Sequence, residues 1–151
     1  MQKRIYLGAD HKGFELKNYL KEKLKSSFEI RDCGAFFFNL KDDYPDFAKK
    51  VVEKVAKDKS SFGILLCGSG IGMSIAANRH PKIRAALCLN HVMAKMARKH
   101  NNANVLCLPS HLDKKRTLNI TKSFLSFDFE EGRHQRRIRK IQKYAQEFSQ
   151  N

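Results

Sequence analysis

Gly63-Ile64-Leu65-Leu66-Cys67-Gly68-Ser69-Gly70-Ile71-Gly72-Met73-Ser74 decides the fold of this chain. Ile64 to Leu66 is apolar without alternation, as in a strand covered on both faces. Gly68, Gly70 and Gly72 let the backbone turn sharply and approach a ligand closely. A helix predicted to start after them aims free N–H groups at that ligand, which suits an anion. Cys67 ends the strand beside these donors, and a thiolate so placed serves as a base or nucleophile. The segment therefore predicts strand, glycine turn and helix, with an anion cradle at the turn.

Similar motifs are excluded by their spacing. G-x-G-x-G differs from the G-x-G-x-x-G of dinucleotide sites, and no acidic residue ends the next strand to hold a ribose. No Gly-Lys-Ser/Thr follows, so the loop is not that of a nucleoside triphosphatase. The other cysteines, Cys33, Cys88 and Cys107, form no C-x-x-C pair and no zinc-like Cys/His spacing, so reduced core thiols and no metal are expected. A chain of 151 residues with 42% hydrophobic content is expected to form one domain, residues 1–151. It shows no signal peptide and no apolar run long enough for a membrane, so a cytoplasmic protein is expected. The net charge of +15 is spread over several helices rather than gathered into a nucleic-acid motif. Lys17, Lys21 and Lys25 share one helical face, which reads as a solvated face.

Outward from the central segment, strand and helix alternate. Strands are predicted at Lys3 to Leu7, Phe28 to Asp32, Phe62 to Cys67, Arg84 to Leu89 and Asn104 to Leu108. Helices are predicted from Gly13 to Ser26, from Pro45 (with Phe47, Val51, Val52 and Val55 as its buried face), from the glycine turn to about Asn78, from His91 to His100, from Asp113 to Ser126, and from Gly132 to about Phe148. This alternation predicts an α/β doubly wound, Rossmann-like three-layer sandwich: a five-stranded parallel sheet, order 2-1-3-4-5, plus a C-terminal helix. Strands 1 and 3 are then neighbours at the switch point, where ligands bind at the carboxyl ends. The turn after strand 1, Gly8-Ala9-Asp10-His11-Lys12-Gly13, brings Asp10 and His11 beside Cys67 and Ser69. Read alone, that turn is also a helix cap with Asp10 accepting N–H bonds.

Five blocks now stand in order: Gly8-Ala9-Asp10-His11-Lys12-Gly13; Asp43-Tyr44-Pro45; Cys67-Gly68-Ser69-Gly70-Ile71-Gly72 with Ser74-Ile75-Ala76-Ala77-Asn78; His100-Asn101; and Gly132-Arg133-His134-Gln135-x-Arg137. Together they resemble the ribose-5-phosphate isomerase B family, which includes galactose-6-phosphate isomerase subunits. The resemblance covers nearly the whole chain. It implies a cofactor-free aldose–ketose isomerase of the pentose phosphate pathway, acting on ribose 5-phosphate and ribulose 5-phosphate through a cis-enediolate. By matching position, Cys67 resembles the base moving the proton between C2 and C1, with Ser69 assisting on the sugar oxygens. Gly68, Gly70, Ile71 and Gly72 resemble the backbone that holds the enediolate oxygens. His100 resembles the ring-opening acid, helped by Asp10. Tyr44 and Asn101 resemble the sugar site, and His11, Arg133 and Arg137 the phosphate site. Arg133 and Arg137 are i and i+4, so they share a helical face and present forked donors. One departure stands out: where many relatives carry Ser-Arg after the fifth strand, this chain has Ser110-His111.

The predicted topology puts His100 and Asn101 at the amino end of the sheet, opposite Cys67, and the last helix also starts there. A phosphorylated-sugar site shared between the two chains of a homodimer, or of a tetramer built on it, is therefore expected, with no specific nucleic acid and no membrane as partner. Two other readings stand beside it: a subunit acting on a six-carbon aldose 6-phosphate such as allose or galactose 6-phosphate, and a noncatalytic basic binding module. His80, His91 and His134 carry no role at this level, nor does the aromatic run Phe36 to Phe38.

Overall fold

In the computed structural model, which describes residues 2–149, strand and helix alternate as the pattern predicts. The elements are β1 (Arg4–Ala9), α1 (Phe14–Leu24), β2 (Glu29–Asp32), α2 (Tyr44–Lys57), β3 (Phe62–Cys67), α3 (Ile71–Ala77), β4 (Ala85–Leu87), α4 (His91–Asn101), β5 (Val105–Pro109), α5 (Lys114–Ser126) and α6 (Arg133–Ser149). Pro45 sits in the first turn of α2, where its missing N–H has no helical partner to lose. Asn90 and Asp113 cap α4 and α5 by accepting from Met93 N–H at 2.9 Å and Arg116 N–H at 2.8 Å.

All strand pairings are parallel, in the order β2-β1-β3-β5-β4. This corrects the expected 2-1-3-4-5: β5, not β4, lies against β3. The physical reason is apolar content. Every residue of β5 is buried, whereas the three residues of β4 are only half-buried and suit an edge. The chain crosses from β3 past β5 to the edge along α3 and returns through α4. The switch point between β1 and β3 is unaffected.

The two faces of the sheet carry separate apolar layers. Ile5, Leu7, Ile64, Leu66, Leu106 and Leu108 pack under α1, α4 and α5. Leu65, Cys67, Val105 and Cys107 pack under α2 and α3 with Val51, Val52 and Met73. Alternation along β3 therefore aims Cys67 toward the α2/α3 side. Each Leu or Ile so covered contributes about 1.5–3 kcal/mol. Among the described residues, no helix is long and apolar enough to cross a membrane.

Lys17 departs from the solvated face expected of it. Its side chain is fully buried, and Nζ donates to Asp32 Oδ1 at 2.6 Å and to the Ala35 carbonyl at 2.7 Å. Burial pushes its ammonium below the usual lysine range, and Asp32 opposes that shift. Lys21 joins the same carboxylate from the surface at 3.1 Å. The pair ties α1 to the end of β2, from which the chain departs toward Tyr44.

Candidate active site

The register that pairs Ala9 with Leu66 sets Asp10 beside Cys67 at the carboxyl ends of β1 and β3. Asp10 N–H donates to the Leu66 carbonyl at 3.3 Å. The Asp10 carboxylate is buried, and its Oδ1 accepts from Lys12 N–H at 3.0 Å and Gly13 N–H at 3.1 Å. Asp10 thus closes the turn ahead of α1, whose N-cap is Gly13 without a side-chain cap, rather than capping the helix itself, and it stands in the crevice. Cys67 is buried at the tip of β3. Ser110 N–H donates to the carbonyls of Cys67 at 2.9 Å and Gly68 at 3.1 Å, which brings His111, exposed on the next turn, to the rim of the same crevice.

The glycines are required by the space around them. Gly70 adopts φ +75°, and a Cβ there would lie 2.6 Å from Leu87 Cδ1. A Cβ on Gly72 would lie 2.5 Å from the ring of Tyr44. The sugar-site tyrosine predicted from the second block therefore rests directly on the cradle. Lys12 arches over Gly68 from the β1 turn. The Ser69 hydroxyl accepts from Ile71 N–H at 3.2 Å, and its residue is exposed. The amides from Gly68 to Gly72 line a site where an oxyanion can be held by hydrogen bonds.

The four thiols divide by environment. Burial pushes Cys88 up to about 12 and raises Cys107 further, and burial also raises Cys33. These three are kept as thiols; Cys67, also buried, ends β3 at the crevice.

The remaining predicted residues lie elsewhere. Cys67 pairs with Pro109 at the end of β5, while His100 and Asn101 precede β5 at Val105. A strand of this length spans about 17 Å, so one chain does not bring His100 to its own Cys67. Around His100 a second cluster forms. Its ring stacks on His134, and the Nε2 atoms of the two lie 3.7 and 3.9 Å from Glu130 Oε2. Glu130 also pairs with Lys99, and its N–H donates to the Lys99 carbonyl at 3.0 Å. Arg133 and Arg137 begin α6 beside this cluster, are exposed, and form no ion pair among the described residues. A recess of about 900 Å³ lies at this amino end, under α6, lined by Arg84, Asn101, Ile141, Tyr144 and Phe148.

Sequence reasoning missed three groups here. Glu130 and His134 join His100, and Asp42 binds His11, with Nδ1 2.7 Å from Asp42 Oδ1. A contact between positions 11 and 42 has no periodic signal. His100, Glu130 and His134, and likewise Asp10, His11 and Asp42, bring donor atoms within 4.8 Å of one another. In the first cluster the rings are 12° from parallel, so their in-plane lone pairs run side by side rather than converging. In the second, one oxygen of each carboxylate already accepts backbone N–H bonds.

The sequence profile of the Ribose/Galactose Isomerase family matches residues 5–141. This chain belongs to that family. A probable ribose-5-phosphate isomerase B of Mycoplasma genitalium is 44% identical over 150 residues, covering 97% of this chain and 99% of the relative. The crystal structure of ribose-5-phosphate isomerase B from Mycoplasma genitalium with bound ribulose-5-phosphate superposes with TM-score 0.94 at 44% identity, covering 97% of this chain and 99% of that one. The ribose 5-phosphate isomerase of Thermotoga maritima superposes with TM-score 0.90 at 48% identity, covering 95% and 99%. The Ribose/Galactose Isomerase profile spans every site block and ends within α6, so both clusters described above lie inside the matched region.

Proposed function

We propose that this chain is an aldose–ketose isomerase that interconverts ribose 5-phosphate and ribulose 5-phosphate through a cis-enediolate. One observation carries the reading: Cys67 stands next to Asp10 over a glycine cradle, in a chain that matches end to end a relative crystallised with ribulose-5-phosphate. A proton beside a carbonyl is weakly acidic, so its removal needs a nearby base and donors where the oxyanion forms. The Cys67 thiolate takes the proton from C2 of the open-chain aldose and returns it to C1. Ser69 passes the hydroxyl proton between O1 and O2, and the amides from Gly68 to Gly72 hold both oxygens. Tyr44 packs along the sugar, with Asn101 as a further hydrogen-bonding partner. Ring opening falls to His100 as acid, with Asp10 assisting, and the phosphate to His11, Arg133 and Arg137.

Because His100, Asn101, Arg133 and Arg137 lie at the far end of the sheet, the working unit is a two-fold homodimer with shared sites. Support comes from the outer face of α4. Met96 and Val92 are 42% and 54% exposed and lie one and two turns before His100 on the same stripe. Leu89 and Met93 extend this uncovered apolar surface. Two α4 helices packed antiparallel on such a face carry each His100 toward the carboxyl end of the partner's sheet. Four unpaired thiols suit a reducing compartment and support a cytoplasmic location. The basic-module reading is disfavoured because several cations are committed to carboxylates of the same chain, including Arg4 to Glu29 and Asp58, and the buried Lys17 to Asp32.

The test is a coupled assay comparing ribose 5-phosphate with allose 6-phosphate. Turnover of the five-carbon substrate with the higher kcat/KM is expected. Preference for the six-carbon substrate would shift the assignment, and activity on neither would remove it.

A further inference from the structure

His11 is held at two points by a single carboxylate oxygen. Asp42 Oδ1 accepts the His11 backbone N–H at 3.0 Å and lies 2.7 Å from ring Nδ1. Asp42 comes from the loop between β2 and α2, 31 residues away in sequence. Its side chain is only 9% exposed, and its second oxygen, Oδ2, is buried with no hydrogen-bond partner among the described residues. An unsatisfied buried carboxylate oxygen is costly, so this is not an incidental surface pair. Phe38 meets the His11 ring edge-on, with centroids 6.2 Å apart, and limits its rotation. The other ring nitrogen, Nε2, has no partner among the described residues.

An ionised carboxylate accepts and cannot donate. The proton at this contact must therefore sit on Nδ1. Such a carboxylate–imidazole pair fixes the tautomer and orientation of a ring whose other nitrogen meets a ligand. Asp10, the only other carboxylate within 4.8 Å in this cluster, already spends Oδ1 on the amides of Lys12 and Gly13.

We propose that Asp42 is a positioning residue for the phosphate end of the site: it anchors His11 through Nδ1–H so that Nε2 is the nitrogen offered to the substrate's phosphoryl group, as a donor once the ring is protonated. This rests on the isomerase reading above. It adds a residue to that reading and explains why the loop leading into α2 is folded inward at Asp42.

The experiment uses full-length wild type, Asp42→Ala and Asp42→Asn, with three readouts. Nitrogen-15 NMR of the imidazoles reports which nitrogen of His11 carries the proton. Calorimetry reports binding of inorganic phosphate. Steady-state kinetics with ribose 5-phosphate separates KM from kcat. In wild type the Nδ1–H tautomer is expected. In Asp42→Ala it should give way to a mixture, with KM and the phosphate Kd rising together by about ten- to thirtyfold while kcat moves less than about threefold, as for lost orientation of a binding group. Asp42→Asn keeps a carbonyl oxygen that accepts, so it should recover the tautomer and most of the affinity. A wild-type His11 protonated on Nε2 alone overturns the proposal, whatever the variants do. So does an Asp42→Ala protein with unchanged phosphate affinity, or one that loses kcat at constant KM. If wild type fails to isomerise ribose 5-phosphate, the functional reading falls, while the tautomer and phosphate binding still judge Asp42.

Discussion

His100 and His134 lie ring on ring, their centroids 4.2 Å apart and their planes 12° from parallel. Two imidazoles this close disfavour a second positive charge. Burial, and then His100, Arg133 and Arg137, hold His134 below the ordinary histidine range, with Glu130 opposing. The unfolded chain therefore binds a proton at this position at a pH where the folded chain still resists it. Stability from this site is complete above the ordinary histidine range and falls as pH drops through it. His134→Gln should flatten this acid-side slope in urea unfolding measured across a pH series. An unchanged slope would mean that His134 titrates freely in the folded chain.

Cys67→Ala should lower kcat by about 10²–10⁴, the range for a positioned acid or base, and leave the fold intact. A small alkylating reagent should inactivate the wild type, and substrate should protect it. Cys88 and Cys107 contribute little to that modification, because burial holds both as thiols. Wild-type turnover in the alanine variant would remove Cys67 from the reaction.

Gly13 separates sterics from conformational freedom. Its φ of −89° is open to any residue, yet an added Cβ would lie 2.5 Å from the Leu66 carbonyl oxygen and 2.6 Å from Leu66 Cβ. The turn after β1 must then lift off β3. Gly13→Ala should cost about 1–3 kcal/mol, as for overpacking, and should weaken isomerase activity by displacing Asp10. Denaturant unfolding checks the first figure; a change below about 0.5 kcal/mol, the scale of neutral surface substitutions, would mean that the turn relaxes freely.

Prolonged chelation should leave turnover unchanged. In the proposed reaction the enediolate is held by backbone amides rather than a cation, and in both histidine–carboxylate clusters the donors are already stacked or hydrogen-bonded. Activity lost to a chelator and restored only by a divalent cation would reverse this.

The central strand, the glycine turn and the pairing of Asp10 with Cys67 were legible because each rests on local pattern: an apolar run, a glycine spacing and a parallel crossover. The strand order failed at its outer end because periodicity counts strands without ranking their burial. The wholly apolar Val105–Pro109 against the short Ala85–Leu87 was the signal available. Lys17 was misread because a helical face shows spacing, while its burial depends on Asp32 and Ala35 arriving from β2 and beyond. Asp42 and the His100–His134 stack are long-range contacts between polar residues, which leave no period in the chain.

The decisive prediction concerns where His100 acts. It precedes β5, whereas Cys67 pairs with the last residue of that strand, and about 17 Å of strand exceeds the reach of an imidazole. Inactive Cys67→Ala and inactive His100→Ala proteins, dissociated, mixed in equal amounts and reassociated, should therefore complement. In a mixed dimer one site loses both groups and the other keeps both. With half of the dimers mixed and one of two sites intact in each, activity should recover to about a quarter of wild type. Each variant treated alone should stay inactive. If mixed dimers form, as tagged chains would report, and activity does not return, His100 serves the Cys67 of its own chain, and the placement of α4 along the sheet would have to change.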